Sequence, residues 1–320
     1  MRQAGRYMPE YRALRTRYSF LELCHTPEAA AEASMLPVTL LGIDGVIVFS
    51  DILVTLEAMG MDLSFDEGKG PILGDPIRSR ADIGRLRHYD ANVGTGYLPA
   101  AIRLLVQRLD GSLPVLGFAG APYTLACYAV EGKTARHYAK TKSFMHTDPV
   151  GFRELLHRLA DAAADLLIAQ IEAGAELVQL FDTWAGDLMP DEFRAFALPA
   201  AAHVIERVQK TGTPIVYFVN GVGGKLHDIQ SAGADVLGVD WRIGLDAVRA
   251  EVGPGMPLQG NLDPCTLYAP VEVIESRVRD VLAQNGTGPH IFNLGHGILP
   301  DVPVANAKAL VNAVKTWGLR

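Results

Sequence analysis

Apolar residues fall in seven short, nearly unbroken runs, at 42–50, 114–122, 175–183, 213–221, 234–241, 256–262 and 290–297. Between and after them lie longer stretches with apolar positions every three or four residues, over Pro149–Ala173, Pro190–Gln209, Val271–Gln284 and Val304–Trp317. The third carries Val271, Ile274, Val278, Val281 and Leu282 at that spacing. The first pattern predicts strands and the second amphipathic helices. Because the strand runs do not alternate polar with apolar, both sheet faces are covered, as in a parallel sheet. Seven such units, with Arg2–Gly5 as a partial eighth strand, predict an α/β fold of the (β/α)8 TIM-barrel type in one domain, residues 1–320, rather than an open doubly wound sheet.

Polar residues sharpen this picture. Asp51, Asp182, Thr183, Asn220, Asp240, Asn261 and His296 all sit at or just past the end of a predicted strand, the face on which barrels build their sites. Gly60 to Gly94 shows no clear period and reads as a long excursion over that face. Of 320 residues 49% are hydrophobic and 20% charged, the make-up of a protein with a large buried core. With a pI near 5.7, the chain lacks the broad basic excess that a nucleic-acid partner requires. No apolar stretch of signal type opens the chain, and Asp44 breaks the most apolar region, Met35–Phe49, before spanning length. Cys24, Cys127 and Cys265 stand in no metal or disulfide spacing. No membrane partner and a cytoplasmic location are therefore expected.

Against a net charge of -7, the first seventeen residues hold Arg2, Arg6, Arg12, Arg15 and Arg17 with only Glu10 opposing. Gly5 and Pro9 favour a loop on which the guanidiniums of Arg2 and Arg6 converge, and the arginine fork suits a carboxylate or phosphate. A solvated basic terminus is the competing reading. Asp51, with Ser50 beside it, would be delivered to the barrel mouth by the run VIVFS; a helix N-cap explains the same residues. GFAGAPYTLACY matches neither phosphate-loop pattern, and Tyr128 at its end is either a ligand contact or rim. His296 lies between two glycines, as a ligand contact or a turn would. No HExxH, HxC or carboxylate cluster accompanies it, so no metal site is predicted.

Six segments in order, RQAGRYMPEYR, FSDIL, GFAGAPYTLACYAVEG, QLFDTWAG, GNLDP and FNLGHGILPDVP, resemble the uroporphyrinogen decarboxylase family over nearly the whole chain. The first and third are the most specific. The resemblance implies a cofactor-free (β/α)8 enzyme, usually a homodimer, that removes CO2 from the four acetate side chains of uroporphyrinogen III to give coproporphyrinogen III. It further implies that the segment Arg2, Gln3, Ala4, Gly5, Arg6, with Arg15, holds substrate carboxylates. Asp51 matches the residue that receives the pyrrole N–H groups. Tyr128, Thr183 and His296 match further binding positions, and Ser50 and Phe181 line the cleft. Asp51, Arg2 and Arg6 are the expected catalytic residues, with an arginine or a bound water as proton donor.

Thr183 stands where some members have Ser, which keeps the hydroxyl. Members also have a lead-in before RQAGR containing most of the first strand; its lack here predicts that Met1 is an internal methionine of a longer natural protein. Two related readings compete: a corrinoid-type or cobalamin-independent methyltransferase, and a non-catalytic porphyrinogen-binding relative. The methyltransferases need a His-x-Cys pair that YFVNG and NLGHG lack. A metal-dependent aldolase barrel would need a ligand cluster or a placed lysine.

Overall fold

The computed structural model describes residues 1–66 and 70–318; residues 67–69 of the Gly60–Gly94 excursion, and 319–320, lie outside the described set. The nine strands are β1 Val46–Ile47, β2 Leu63–Asp66, β3 Gly70–Leu73, β4 Val115–Gly120, β5 Leu177–Asp182, β6 Ile215–Val219, β7 Val236–Gly238, β8 Leu258–Leu262 and β9 His290–Leu294. Seven form one parallel sheet in the order β1-β4-β5-β6-β7-β8-β9, while β2 and β3 make an antiparallel hairpin inside the excursion. Every apolar run of the sequence supplies one strand of the large sheet. The strands of its middle are buried end to end, as in β6 and β8, whereas the last strand, β9, leaves Ile291 exposed.

The sheet curls on itself. Gln259 Nε2 of β8 donates to Gln179 Oε1 of β5 at 3.1 Å although two strands lie between them, so their inner faces meet. Curling brings β1 and β9 to the two sides of one groove, and they do not pair. The expected partial strand at Arg2–Gly5 is not formed: residues 1–3 are irregular and residues 4–8 bend into the helix Pro9–Arg17. The side chain of Gln3 takes over instead. Its Nε2 donates to Gly45 O at 2.8 Å and its Oε1 accepts from Ile47 N at 2.9 Å, the two bonds a neighbouring peptide would make.

A second glutamine does the same on the outer side. β1 ends opposite Leu116, before it can pair with Phe118. Gln170, buried on the helix Pro149–Glu172, accepts from Phe118 N and donates to Phe118 O, both at 2.9 Å. Replacing it with Ala strands that peptide group in the core, and we expect Gln170→Ala to lower unfolding free energy by about 2 to 3 kcal/mol in urea titrations. The helices lie as the periodicity predicts, at Pro149–Glu172, Val271–Asn285 and Val304–Trp317. The predicted single helix from Pro190 is instead interrupted by a π-helical turn, Phe193–Ala197, before Leu198–Gln209. Pro199 lacks an N–H and crowds the turn before it, and the wider π turn accommodates it. No helix among the described residues is long and apolar enough to cross a membrane.

Candidate active site

The site is built on the C-terminal ends of the parallel strands, and its floor is the segment after β1. Ser34 Oγ, on the helix Pro27–Leu41, accepts Phe49 N–H at 2.8 Å and fixes the chain where it leaves the sheet. Asp51 follows. Its Oδ1 accepts Leu53 N–H at 2.8 Å, a local turn that starts the helix Val54–Ala58. Asp51 is thus not the helix N-cap that the sequence also allowed, since Leu53 holds that position without a side-chain cap, and Oδ2 makes no hydrogen bond among the described residues. Burial pushes the pKa of Asp51 above its ordinary value, against the pull of Leu53 N–H and the charge of Arg2. Beside it, Ser50 Oγ is enclosed with no hydrogen-bond partner among the described residues.

Arg2 and Arg6 lie on the loop that the glycine and proline predict, both exposed, and neither forms an ion pair among the described residues. Arg2 packs beside Gly297, where an added Cβ would be 3.4 Å from its own, so the two ends of the chain share one wall. Its charge reaches both Asp51 and His296. The backbone carbonyl of Arg6 accepts from Arg12 Nη1 at 2.7 Å, which holds the loop and leaves the Arg6 guanidinium free. Arg15 is half-buried; its Nε donates to Tyr18 O at 3.3 Å and its guanidinium lies 5.5 Å from the Phe20 ring, which packs on Phe49. Ala4 and Gly5 are buried beneath these side chains.

Aromatic rings form the walls. Phe181 of β5 meets Phe118 and Phe218 edge to face, and Phe218 in turn meets His296, whose other neighbour is Trp241. Burial, then the charges of Arg2 and Arg242, lower the pKa of His296, which is therefore neutral at pH 7 and offers one donor and one acceptor. The glycine before it is required: a Cβ on Gly295 would lie 2.5 Å from Trp241 N. On the other side Tyr128, on the helix Pro122–Glu131, packs against Trp184, and Trp184 against Tyr138. Burial and the nearby Asp51 raise the pKa of Tyr128, keeping it a hydroxyl donor. Thr183 leaves β5 half-buried between Asp182 and Trp184.

The strand-end residues separate into two groups. Asp182 is fully buried and accepts from Thr124 Oγ1 at 2.8 Å and Tyr217 OH at 2.9 Å, so it holds the core together rather than facing a ligand. Asp240 accepts Gly221 N–H at 2.6 Å and pairs with Arg242. Asn261 donates to Asp240 O at 2.9 Å and Ile243 O at 2.6 Å. Asn220 Oδ1 accepts from Arg242 Nη1 at 2.8 Å, which leaves Asp51, Thr183 and His296 as the candidates for ligand contact.

Sequence reasoning placed Trp184 at a strand end without giving it a role and missed Tyr138, Trp241 and Arg242. Trp184 Nε1 and Tyr138 OH are buried without hydrogen-bond partners among the described residues, and Tyr138 adopts φ +48°, rare for a bulky residue. Arg242 Nη1 donates to Asn220 Oδ1 at 2.8 Å, with its guanidinium 4.1 Å from the Trp241 ring. The dipeptide Trp241-Arg242, just past the end of β7, was the available signal. Together these residues set a buried carboxylate, two exposed guanidiniums and a series of packed aromatic rings near the C-terminal ends of the strands.

Residues 1–317 match the family described as Uroporphyrinogen decarboxylase (URO-D). A uroporphyrinogen decarboxylase from Chloroflexus aurantiacus is 48% identical over the whole chain and 91% of its own length, and one from Trichlorobacter lovleyi is 49% identical over 98% of the chain and 92% of its own. Among solved structures, a methyltransferase from Methanosarcina mazei shares the fold at a TM-score of 0.83 with 22% identity, covering 96% of this chain and 91% of its own. A B12-independent methionine synthase from Shewanella reaches 0.57 with 12% identity, covering 90% and 88%. The six ordered motifs, the family match over residues 1–317 and near-half identity to named enzymes together mean that this chain belongs to the uroporphyrinogen decarboxylase family.

Proposed function

We propose that the protein removes CO2 from the four acetate side chains of uroporphyrinogen, giving coproporphyrinogen, in porphyrin biosynthesis. The observation that carries this is a buried carboxylate, Asp51, with one oxygen left without a hydrogen bond among the described residues and the charge of Arg2 acting on it, beside Arg6 on the same loop, neither arginine in an ion pair among the described residues. An acetate on a pyrrole loses CO2 once the ring is protonated on carbon, because the ring then accepts the electron pair of the breaking C–C bond. That ring is cationic. An ionised Asp51 beneath the pyrrole N–H groups stabilises it more than the neutral ground state, which is what lowers the barrier. The same N–H groups and cation favour ionisation of Asp51 against its burial. Arg2 and Arg6 hold the acetate that leaves, Arg15 holds a second carboxylate, and Tyr128, Thr183 and His296 bond the macrocycle between Ser50 and Phe181. The proton comes from an arginine or a bound water. No bound cofactor or metal enters this scheme.

The methyltransferase reading is disfavoured: neither Asn220–Gly221 after β6 nor His296 after β9 has a cysteine beside it. If the arginines bind substrate carboxylates through paired charge-assisted bonds, Arg6→Gln should raise KM for uroporphyrinogen by about 10- to 100-fold. Steady-state kinetics check this, and an unchanged KM in both Arg2→Gln and Arg6→Gln would remove the arginines from the site.

We infer further that the chain is one domain, residues 1–320, and that its sheet represents seven of the eight staves of a (β/α)8 barrel, with room for the first stave between β1 and β9. A groove of about 1620 Å3 between those strands, lined by Ile43, Ile47, Leu116 and Phe292, supports this, as does the peptide-like clasp of Gln3 on the β1 edge. Action as a homodimer rests on the resemblance. A cytoplasmic setting is supported by three cysteines that are all free, one of them exposed.

A further inference from the structure

We propose that the outer helices carry a zinc site formed by His157, Asp161 and His203, distinct from the cleft. His157 and Asp161 are four apart on the helix Pro149–Glu172, hence on one face. His203 comes from the neighbouring helix Leu198–Gln209, which packs directly on it. One ligand atom from each of the three lies within 4.8 Å of the others. His203 Nε2 is 2.8 Å from Asp161 Oδ1, His157 Nε2 is 3.7 Å from Asp161 Oδ2, and the two imidazole rings are 5.0 Å apart.

Two imidazoles and one carboxylate are a zinc donor set, and the exposure of His157 leaves a fourth position open to water. The surrounding charge permits a cation. Arg207 approaches Asp161 Oδ1 at 3.3 Å, but its other nitrogen is held at 2.6 Å by Asp165, so two carboxylates face one guanidinium. Asp161 Oδ2 points away from that pair toward His157. On binding, the metal takes the Nε2 lone pair of His203 in place of its bond to Asp161, and the ring proton moves to Nδ1. The cation then ties the two helices together. Sequence scanning could not find this site, because the third ligand is 42 residues from the second.

The test is zinc chloride added to metal-free protein carrying Cys265→Ser, which removes the exposed thiol as a competing ligand. At about a hundredfold excess over Kd, thermal unfolding should shift up by about 5 °C with a stoichiometry of one. Magnesium, which prefers oxygen ligands, should give no shift. The double variant His157→Gln/His203→Gln should melt normally in chelator and lose the zinc shift. The single variant His157→Gln, at an exposed position, should weaken zinc at least tenfold even if the double variant folds poorly. No zinc shift in the parent, or a zinc affinity unchanged in His157→Gln, would overturn the site.

Discussion

Asp51→Asn should lower kcat for uroporphyrinogen decarboxylation by about 10²- to 10³-fold, the usual loss when one preorganised electrostatic contact to a developing charge is removed. Asparagine keeps the size and can still accept Leu53 N–H, so the turn at the floor of the cleft survives. What disappears is the negative charge beneath the protonated ring. Binding should fall less, by about tenfold, because the amide oxygen still accepts a pyrrole N–H. The pH dependence separates this role from a structural one. With its pKa raised by burial, Asp51 gives an acid limb in kcat/KM above the ordinary aspartate value of 3.8. In Asp51→Asn that limb should vanish from the residual activity. Near-normal turnover in the variant would end the stabiliser assignment.

The largest expected effect on stability lies two strands over, at the end of β5. Asp182→Ala should lower unfolding free energy by about 3 to 5 kcal/mol, because the hydroxyls of Thr124 and Tyr217 lose their acceptor in the core and a small cavity is left. Thr124 also accepts Trp184 N–H at 3.2 Å, so loosening it should disturb the wall of the cleft. Burial raises the pKa of Asp182 from 3.8 to about 6. In that window the native state holds a proton that the unfolded chain releases. Stability is therefore greatest below the unfolded value and is lost as pH rises through about 6, by about 3 kcal/mol in all. Asp182→Asn cannot titrate, so urea midpoints of the variant and parent should converge or cross between about pH 4 and about pH 7. A constant difference between them would show that Asp182 stays ionised throughout.

The sheet was legible because parallel strands buried on both faces leave unbroken apolar runs, and each run became a strand. Its edges were not. The run 42–50 predicts a full strand, yet only Val46–Ile47 pairs, since a strand needs a neighbour and here a glutamine amide serves as one. Position at strand ends singled out Asp51 and His296, and local charge singled out the arginines, as candidates for the site. Asp182 looked the same in sequence and proved to be core, because the donors that satisfy it lie 58 and 35 residues away. Tyr138 escaped notice, and Trp184 was placed at a strand end but given no role, for the opposite reason: lone aromatics are usually core, and only polar atoms left unpaired among the described residues mark these two out.

The central claim is that this chain decarboxylates a macrocycle rather than only binding one. Counting carboxylates in the product after anaerobic incubation with uroporphyrinogen III tests it most directly, by mass spectrometry of the oxidised porphyrins. Stepwise loss from eight to four, slowed severely by Asp51→Asn, is the predicted result. Macrocycle retained by the protein with all eight carboxylates intact would contradict it.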